Sequence, residues 1–239
     1  MTESIRLSKR LAELLSCSRS EAEQYIEGGC VLVDGQVVEE QGARVLPQQK
    51  VELAPEASLA APVPVTILLH KPAGCDTGSH TVAQLITPEN HAADDRSGLR
   101  FIKRHLTGLN LTAPLESYAS GLLVLTQDWR IARKLIDDAA RVEQEFIVEV
   151  NGEIAADGLQ LLNHGLKFNG RLLPPIKVSW QNETRLRFAL KGPQPGQIKR
   201  MCEMVGLHVL AMKRIRIGRL PMAGLQAGQW RYLLGYEQF

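Results

Sequence analysis

Leu7, Leu11, Leu14 and Leu15 recur at helical spacing, with Arg6, Lys9, Arg10 and Glu13 between them, which predicts a short amphipathic helix. Ser18 followed by Glu21 forms a capping-box pattern that opens a second helix carrying Ala22, Tyr25 and Ile26, and Gly28-Gly29 closes it. The apolar runs 30–33 and 37–38 flank Asp34-Gly35, a dipeptide suited to the positive φ angles of a tight hairpin, and residues 51–53 can add a further strand. Residues 1–53 therefore predict a helix-helix-hairpin unit. Residues 54–64 have no periodicity and three prolines, the composition of a semi-rigid tether.

Beyond the tether, residues 65–69 predict a strand that runs into a turn at Lys71-Pro72-Ala73-Gly74. The stretch 79–112 is mixed in charge and carries no clear period. Leu122, Leu123, Val124 and Leu125 form a run suited to a buried strand, with Glu116 placed ahead of it. Asp128 caps a predicted helix over 129–136, and Phe146, Val148 and Val150 alternate as a half-buried strand. Then come a helix at 154–162, a hairpin folded at Asn169-Gly170, and strands at 176–180 and 185–190. Ile198, Met201 and Val205 share a helix face that Gly206 ends, and a strand at 208–217 follows. Residues 65–239 thus predict a mixed β-sheet with flanking helices, and the whole chain an α+β fold.

The chain of 239 residues, 44% hydrophobic, is long enough for one sizeable core and a small companion domain. No apolar run approaches the length of a membrane span and the first residues lack a secretory pattern, so no membrane partner and a cytoplasmic location are expected. Four cysteines and six histidines show no zinc-ligand spacing, which predicts no metal, and the absence of a Gly-rich phosphate-cradling turn predicts no nucleotide cofactor. Chemistry then falls to side chains. Glu116, at the mouth of an apolar strand, suits a nucleophile or general base.

Net charge is only +2, so its distribution matters more than its total. Residues 191–219 hold Lys191, Lys199, Arg200, Lys213, Arg214, Arg216 and Arg219 against the single acid Glu203, which points to an acidic partner. Residues 1–53 run the other way, with six cations (6, 9, 10, 19, 44, 50) against nine acids (3, 13, 21, 23, 27, 34, 39, 40, 52). Any polyanion contact there is local.

The order Arg6 to Ala12, Ser18 to Ala22 and Gly28 to Gly35 closely resembles the alpha-L RNA-binding domain of the type found in ribosomal protein S four. That resemblance implies RNA-phosphate contacts for Arg6, Lys9, Arg10 and Arg19. Residues 71–74, 115–126, 145–150 and 197–219 resemble the bacterial ribosomal RNA pseudouridine synthases that carry such a domain. The likeness spans nearly the whole chain. It implies a cofactor-free enzyme that flips a uridine out of structured RNA, with ribosomal RNA favoured and transfer RNA the alternative, and rejoins the base through carbon. The catalytic positions it implies are Glu116, Phe146 and Ile198, and the basic residues around them, Lys199, Arg200, Lys213, Arg214 and Arg216, would hold RNA.

The reactive signature is altered. Where the family has Gly-Arg-Leu-Asp and then Thr or Ser, this chain has Pro114, Leu115, Glu116 and Ala119; where it has Lys-x-Tyr, this chain has Gln144-Glu145-Phe146; and Gly196 precedes Gln197-Ile198. A Glu moves the carboxylate by roughly 1 Å relative to Asp, a displacement that costs on the order of a hundredfold in rate. The residues therefore fit either an isomerase or a catalytically silent RNA-binding relative that acts in ribosome assembly.

Overall fold

The computed structural model describes residues 3–55, 57, 63–222 and 224–239. Contacts group them into two compact units: the chain up to Pro64 together with Arg100–Thr107, and Val65–Leu99 together with Gly108–Phe239. Of the tether expected at 54–64, Glu56 and residues 58–62 lie outside the described residues. Arg100–Thr107, which the sequence pattern placed with the larger domain, joins the first unit through polar contacts. The Lys103 N–H donates to Glu39 Oε2 at 2.7 Å, and its ammonium group donates to Glu40 Oε1 at 3.2 Å.

In the first unit, β1 (Ile5–Arg6) leads into α1 (Leu7–Leu15) and α2 (Arg19–Glu27), followed by β2 (Val31–Val33), β3 (Gln36–Val37), β4 (Arg44–Val45) and β5 (Val51–Leu53). Ser18 Oγ accepts from the Glu21 N–H at 3.2 Å while Glu21 Oε2 accepts from the Ser18 N–H at 2.7 Å, so the capping box starts α2. Asp34 and Gly35 take φ of 52° and 81°, the twin positive angles that a two-residue turn between β2 and β3 requires. Strand β5 pairs antiparallel with the other edge of β2. Leu7, Leu11, Ala22, Ile26, Val31, Val33 and Val45 form the core of this unit. Leu14 and Leu15, which fit the apolar stripe of α1, are exposed, because the helix meets its neighbours only over its first two turns.

The second unit comprises β6 (Thr66–Lys71), α3 (Ser79–Ala83), β7 (Asn110–Thr112), β8 (Ser120–Thr126), α4 (Trp129–Ile136), β9 (Glu143–Gly152), α5 (Gly158–Asn163), β10 (Lys167–Phe168), β11 (Arg171–Leu172), β12 (Lys177–Trp180), β13 (Arg185–Lys191), α6 (Gln197–Met204), β14 (Leu207–Ile217), β15 (Leu220–Pro221) and β16 (Trp230–Tyr232). Nine strands form one mixed sheet in the order β12-β13-β9-β14-β8-β6-β16, with β15 on β14 and β7 on β8. The fold is α+β. Strand β6 is buried along its whole length and β8 nearly so, which accounts for their continuous apolar sequence rather than an alternating one.

Strand β8 changes partner halfway. Its first residues pair parallel with β14 (Lys213↔Ser120, Arg214↔Gly121), and its last three pair antiparallel with β7 (Asn110↔Thr126 to Thr112↔Val124). The interval between those partners is filled by the side chain of Arg214, whose Nε and Nη2 donate to Leu122 O at 2.8 and 2.6 Å. Nη2 also donates to Ala113 O at 2.7 Å and Nη1 to Gln144 Oε1 at 3.0 Å, so one guanidinium ties the β7 and β9 ends to β8. Gly121 permits the crossing: its φ is 114°, and a Cβ there would run into the backbone N, C and O of Arg214. Leu68, Leu122, Val124, Leu135, Ile217 and Phe239 pack into the core on one side of this junction.

Two substitutions test the junction. Gly121→Ala is expected to destabilise the protein by about 3 kcal/mol or more, since both backbone atoms and φ oppose it. Arg214→Met leaves buried carbonyls and the Gln144 side chain without donors and should cost at least about 2 kcal/mol. Denaturant unfolding of each variant checks the values, and a midpoint equal to wild type would refute the assignment.

Candidate active site

Glu116 is fixed by its neighbours on the chain before its own side chain is considered. The residues 116–119 form a turn in which the Ala119 N–H donates to Glu116 O at 3.0 Å. The flanking carbonyls are both held: Thr77 Oγ1 donates to Leu115 O at 3.1 Å, while the Gly74 N–H and Lys71 Nζ donate to Ser117 O at 2.8 and 3.1 Å. Lys71 is fully buried, and its ammonium group also takes Pro72 O and Cys75 O at 3.0 and 2.6 Å. Burial lowers the Lys71 pKa, while Cys75, Asp76 and Glu116 pull it upward. A cation at that point cross-links the turn after β6 to the turn that carries Glu116, and an unsatisfied carbonyl cluster there would be costly.

The carboxylate itself is half-buried, and its Oε1 accepts from the Gly196 N–H at 2.8 Å. Gly196, at φ 73°, is the N-cap of α6, so the Glu116 carboxylate docks at that helix's start, where free backbone donors favour a negative group. Burial pulls the Arg214 guanidinium down to about 9, and the charge of Glu116 works in the opposite direction. The guanidinium directs its donors to Leu122 O, Ala113 O and Gln144, and the Glu116 hydrogen bond goes to Gly196. The carboxylate thus acts on the guanidinium through its field.

These groups line a cleft of about 640 Å³ whose walls include Leu111, Leu115, Glu116, Phe146, Ile198, Met212 and Arg214. The three positions singled out from the sequence, Glu116, Phe146 and Ile198, meet in this one cavity. Phe146 sits on β9 opposite Phe188 of β13 and Arg214 of β14, and is buried, as is Ile198 on the inward face of α6. The volume is within the range of small-ligand sites, and one carboxylate against an aromatic and aliphatic wall suits a flat, weakly polar group such as an extruded base.

The cations divide into distinct classes. Lys199 and Arg200 project outward from α6; the Lys199 ammonium lies 5.7 Å from the Tyr118 ring centroid and Arg200 is 3.3 Å from Glu203. Burial and then the Glu116 charge push the Tyr118 phenol up to about 12, so it stays protonated beside them. Lys213 is half-exposed on β14. Arg214 and Arg216 do not fit the RNA-contact role expected from charge counting. Arg214 is 1% exposed and bonded to protein acceptors, and Arg216 pairs with Glu143 at 2.6 Å and Glu145 at 2.7 Å. Position in the sheet overrides residue type here: Arg214 faces inward with Met212, and an irregularity in the ladder between Arg214 and Arg216 sets Arg216 opposite Glu145 of β9 rather than on the inward face.

In the first unit, Arg6, Lys9 and Arg19 are exposed and Arg10 is half-buried; Arg19 lies 3.8 Å from Glu23 on the same helix. Among the described residues no group of three or more His, Cys, Asp or Glu is placed to hold a metal ion, and no helix is long and apolar enough to cross a membrane. Sequence reasoning missed Lys71 and Thr77 as supports of the Glu116 turn. The available signal was a lysine closing an apolar run directly before Pro-x-Gly.

Comparison with known proteins bears on the fold and on the N-terminal domain. Residues 5–51 match the S4 domain family. An uncharacterized RNA pseudouridine synthase of Aquifex aeolicus (strain VF5) is 29% identical over 236 residues, 98% of this chain and 94% of that protein. The ribosomal large subunit pseudouridine synthase B of Bacillus subtilis (strain 168) is 27% identical over 242 residues, 97% of this chain and 93% of its own length. A crystal structure of a pseudouridylate synthase superposes with a TM-score of 0.61 at 20% identity, covering 96% of each chain, which establishes the common fold. Over nearly its whole length the chain is similar to bacterial RNA pseudouridine synthases, and residues 5–51 match the S4 domain.

Proposed function

We propose that the chain isomerises uridine to pseudouridine in structured RNA, ribosomal RNA foremost, with Glu116 as the carboxylate that acts on the ribose. The observation that carries this reading is the convergence of Glu116, Phe146 and Ile198 on one cleft, within a chain whose relatives are RNA pseudouridine synthases over nearly their full length. In the reaction the N1–C1′ bond breaks, the base turns, C5 bonds to C1′, and the proton lost from C5 is balanced by one gained at N1. No cofactor enters. Phe146 offers a ring face for the uracil, Ile198 closes the wall, and the Gly196 amide aims the carboxylate. Lys199 and Arg200 beside the cleft, and Arg6, Lys9, Arg10 and Arg19 on the S4 domain, are the RNA-phosphate contacts of this reading.

A second reading, an RNA-binding relative without turnover, draws on one feature: Glu116 is engaged by Gly196 and the buried Arg214 is engaged by neutral acceptors, so no direct carboxylate–guanidinium bond positions the reacting group.

Protein-free ribosomal RNA from a strain lacking the protein is the test substrate, with pseudouridine mapped chemically after incubation. New pseudouridine is expected with wild type, and Glu116→Gln should lower its rate by at least about a thousandfold while leaving RNA affinity within a few-fold. RNA bound with no product formed would refute the isomerase and favour the second reading. Activity gained in Glu116→Asp would then locate the defect in the carboxylate's reach.

A further inference from the structure

The cleft is bounded on one side by α4 and the short 3-10 turn after it, through Leu135, Ile136, Ala139 and Ala140. The opposite side of the same helix carries a separate open groove of about 500 Å³, walled by Trp129, Arg130, Arg133, Lys134, Asp138, Arg141 and Val142. Lys134 is committed to the chain terminus, where its ammonium group donates to Phe239 O. The other three cations have their charge available. Arg133 has no acidic partner among the described residues, Arg141 is 86% exposed and 4.0 Å from Asp138, and the Arg130 guanidinium lies over the Trp129 ring at 5.7 Å from its centroid.

Helix stability accounts for only part of this set. Arg133 and Lys134 stand in the last turn of α4, where cations complement the helix dipole. Arg130 stands in the first turn, where a cation opposes it, and Trp129 at the first helical position is 64% exposed. An indole kept in water beside a guanidinium is unexplained by packing. It is the arrangement that recognises single-stranded nucleic acid, in which a base stacks on an aromatic face and cations follow the backbone.

We propose that this groove binds RNA adjoining the nucleotide held in the Glu116 cleft, with phosphates on Arg130, Arg133 and Arg141 and one base stacked on Trp129. The inference rests on the reading that the cleft takes RNA. It adds a second contact surface for the same strand, reached by passing over α4, whose width is about 10 Å. It also relocates part of the electrostatic grip. Two of the five cations expected near the chain's end are engaged inside the protein, and the α4 groove supplies replacements that charge counting over the last fifty residues did not find.

Full-length protein is titrated with a ribosomal RNA transcript over a series of KCl concentrations, comparing wild type with the triple variant Arg130→Gln, Arg133→Gln, Arg141→Gln and with Trp129→Ala and Trp129→Phe. The triple variant is expected to bind at least tenfold more weakly and to lower the slope of log K against log salt by about 2, the value for three lost single-strand phosphate contacts. Trp129→Ala should weaken binding by about fivefold or more, and Trp129→Phe, which keeps a ring face, by less. Trp129, Arg130 and Arg133 are exposed on α4 and Arg141 is exposed in the 3-10 turn after it, and equal melting temperatures identify correctly folded variants. A wild type that binds RNA while the folded triple variant binds equally well with the same salt slope overturns the groove and leaves the proposed function standing. Absence of RNA binding by wild type across the KCl series overturns both.

Discussion

A buried guanidinium stands where the central strand of the sheet exchanges one neighbour for another, and the rest of the second unit is arranged around it. Strand β8 leaves β14 after Gly121 and meets β7 at Val124, and an open ladder between them would leave buried backbone acceptors without donors. Arg214 meets that need from within the sheet by donating to Leu122 O, Ala113 O and Gln144. The desolvation of its charge is the penalty for closing the junction, visible in a pKa drawn down to about 9 and opposed by Glu116. The separation of strands that requires Arg214 also opens the cleft, so the fold's principal irregularity and its candidate site are the same feature.

The carboxylate facing this junction is positioned mostly by backbone. Leu115 O and Ser117 O are held by Thr77, Gly74 and Lys71, and the side chain is then aimed by one amide at the start of α6. Lys71 is effective here because it is buried and satisfied by three carbonyl oxygens, which removes the freedom a loop residue otherwise has. Such support from outside the reacting group is what holds geometry to the tolerance that catalysis demands. The side chain of Glu116 is long enough to reach from its turn to the Gly196 amide at the start of α6.

Charge in this protein is legible only residue by residue. Glu145 lies between Arg216 and Arg187, and its pKa is lowered chiefly by the hydrogen bond from Arg216. The pairs with Glu143 and Glu145 neutralise Arg216, a cation that a linear count assigned to a nucleic-acid surface. Arg130, Arg133 and Arg141 are scattered through a segment that also contains Asp137 and Asp138, so no local count singled them out, yet α4 and the turn after it gather them along one groove.

Local patterns carried much of the architecture because they act over a few residues: the Ser18–Glu21 capping box, the Asp34-Gly35 and Asn169-Gly170 turns at positive φ, and the Asp128 cap each appear as expected. Glu116, Phe146 and Ile198, singled out together through residue type and resemblance, line one cleft. The stretch 79–112 was opaque because its order comes from distant partners, as where Ala92 donates to Trp230 O and Thr112 pairs with Val124. Tertiary structure alone decided that Arg214 faces inward, that Lys71 supports the Glu116 turn, and that α4 presents its cations together. In each instance the deciding partners lie tens of residues away along the chain, so hydrogen bonding, burial and charge are set by strand pairing that no short window of sequence contains.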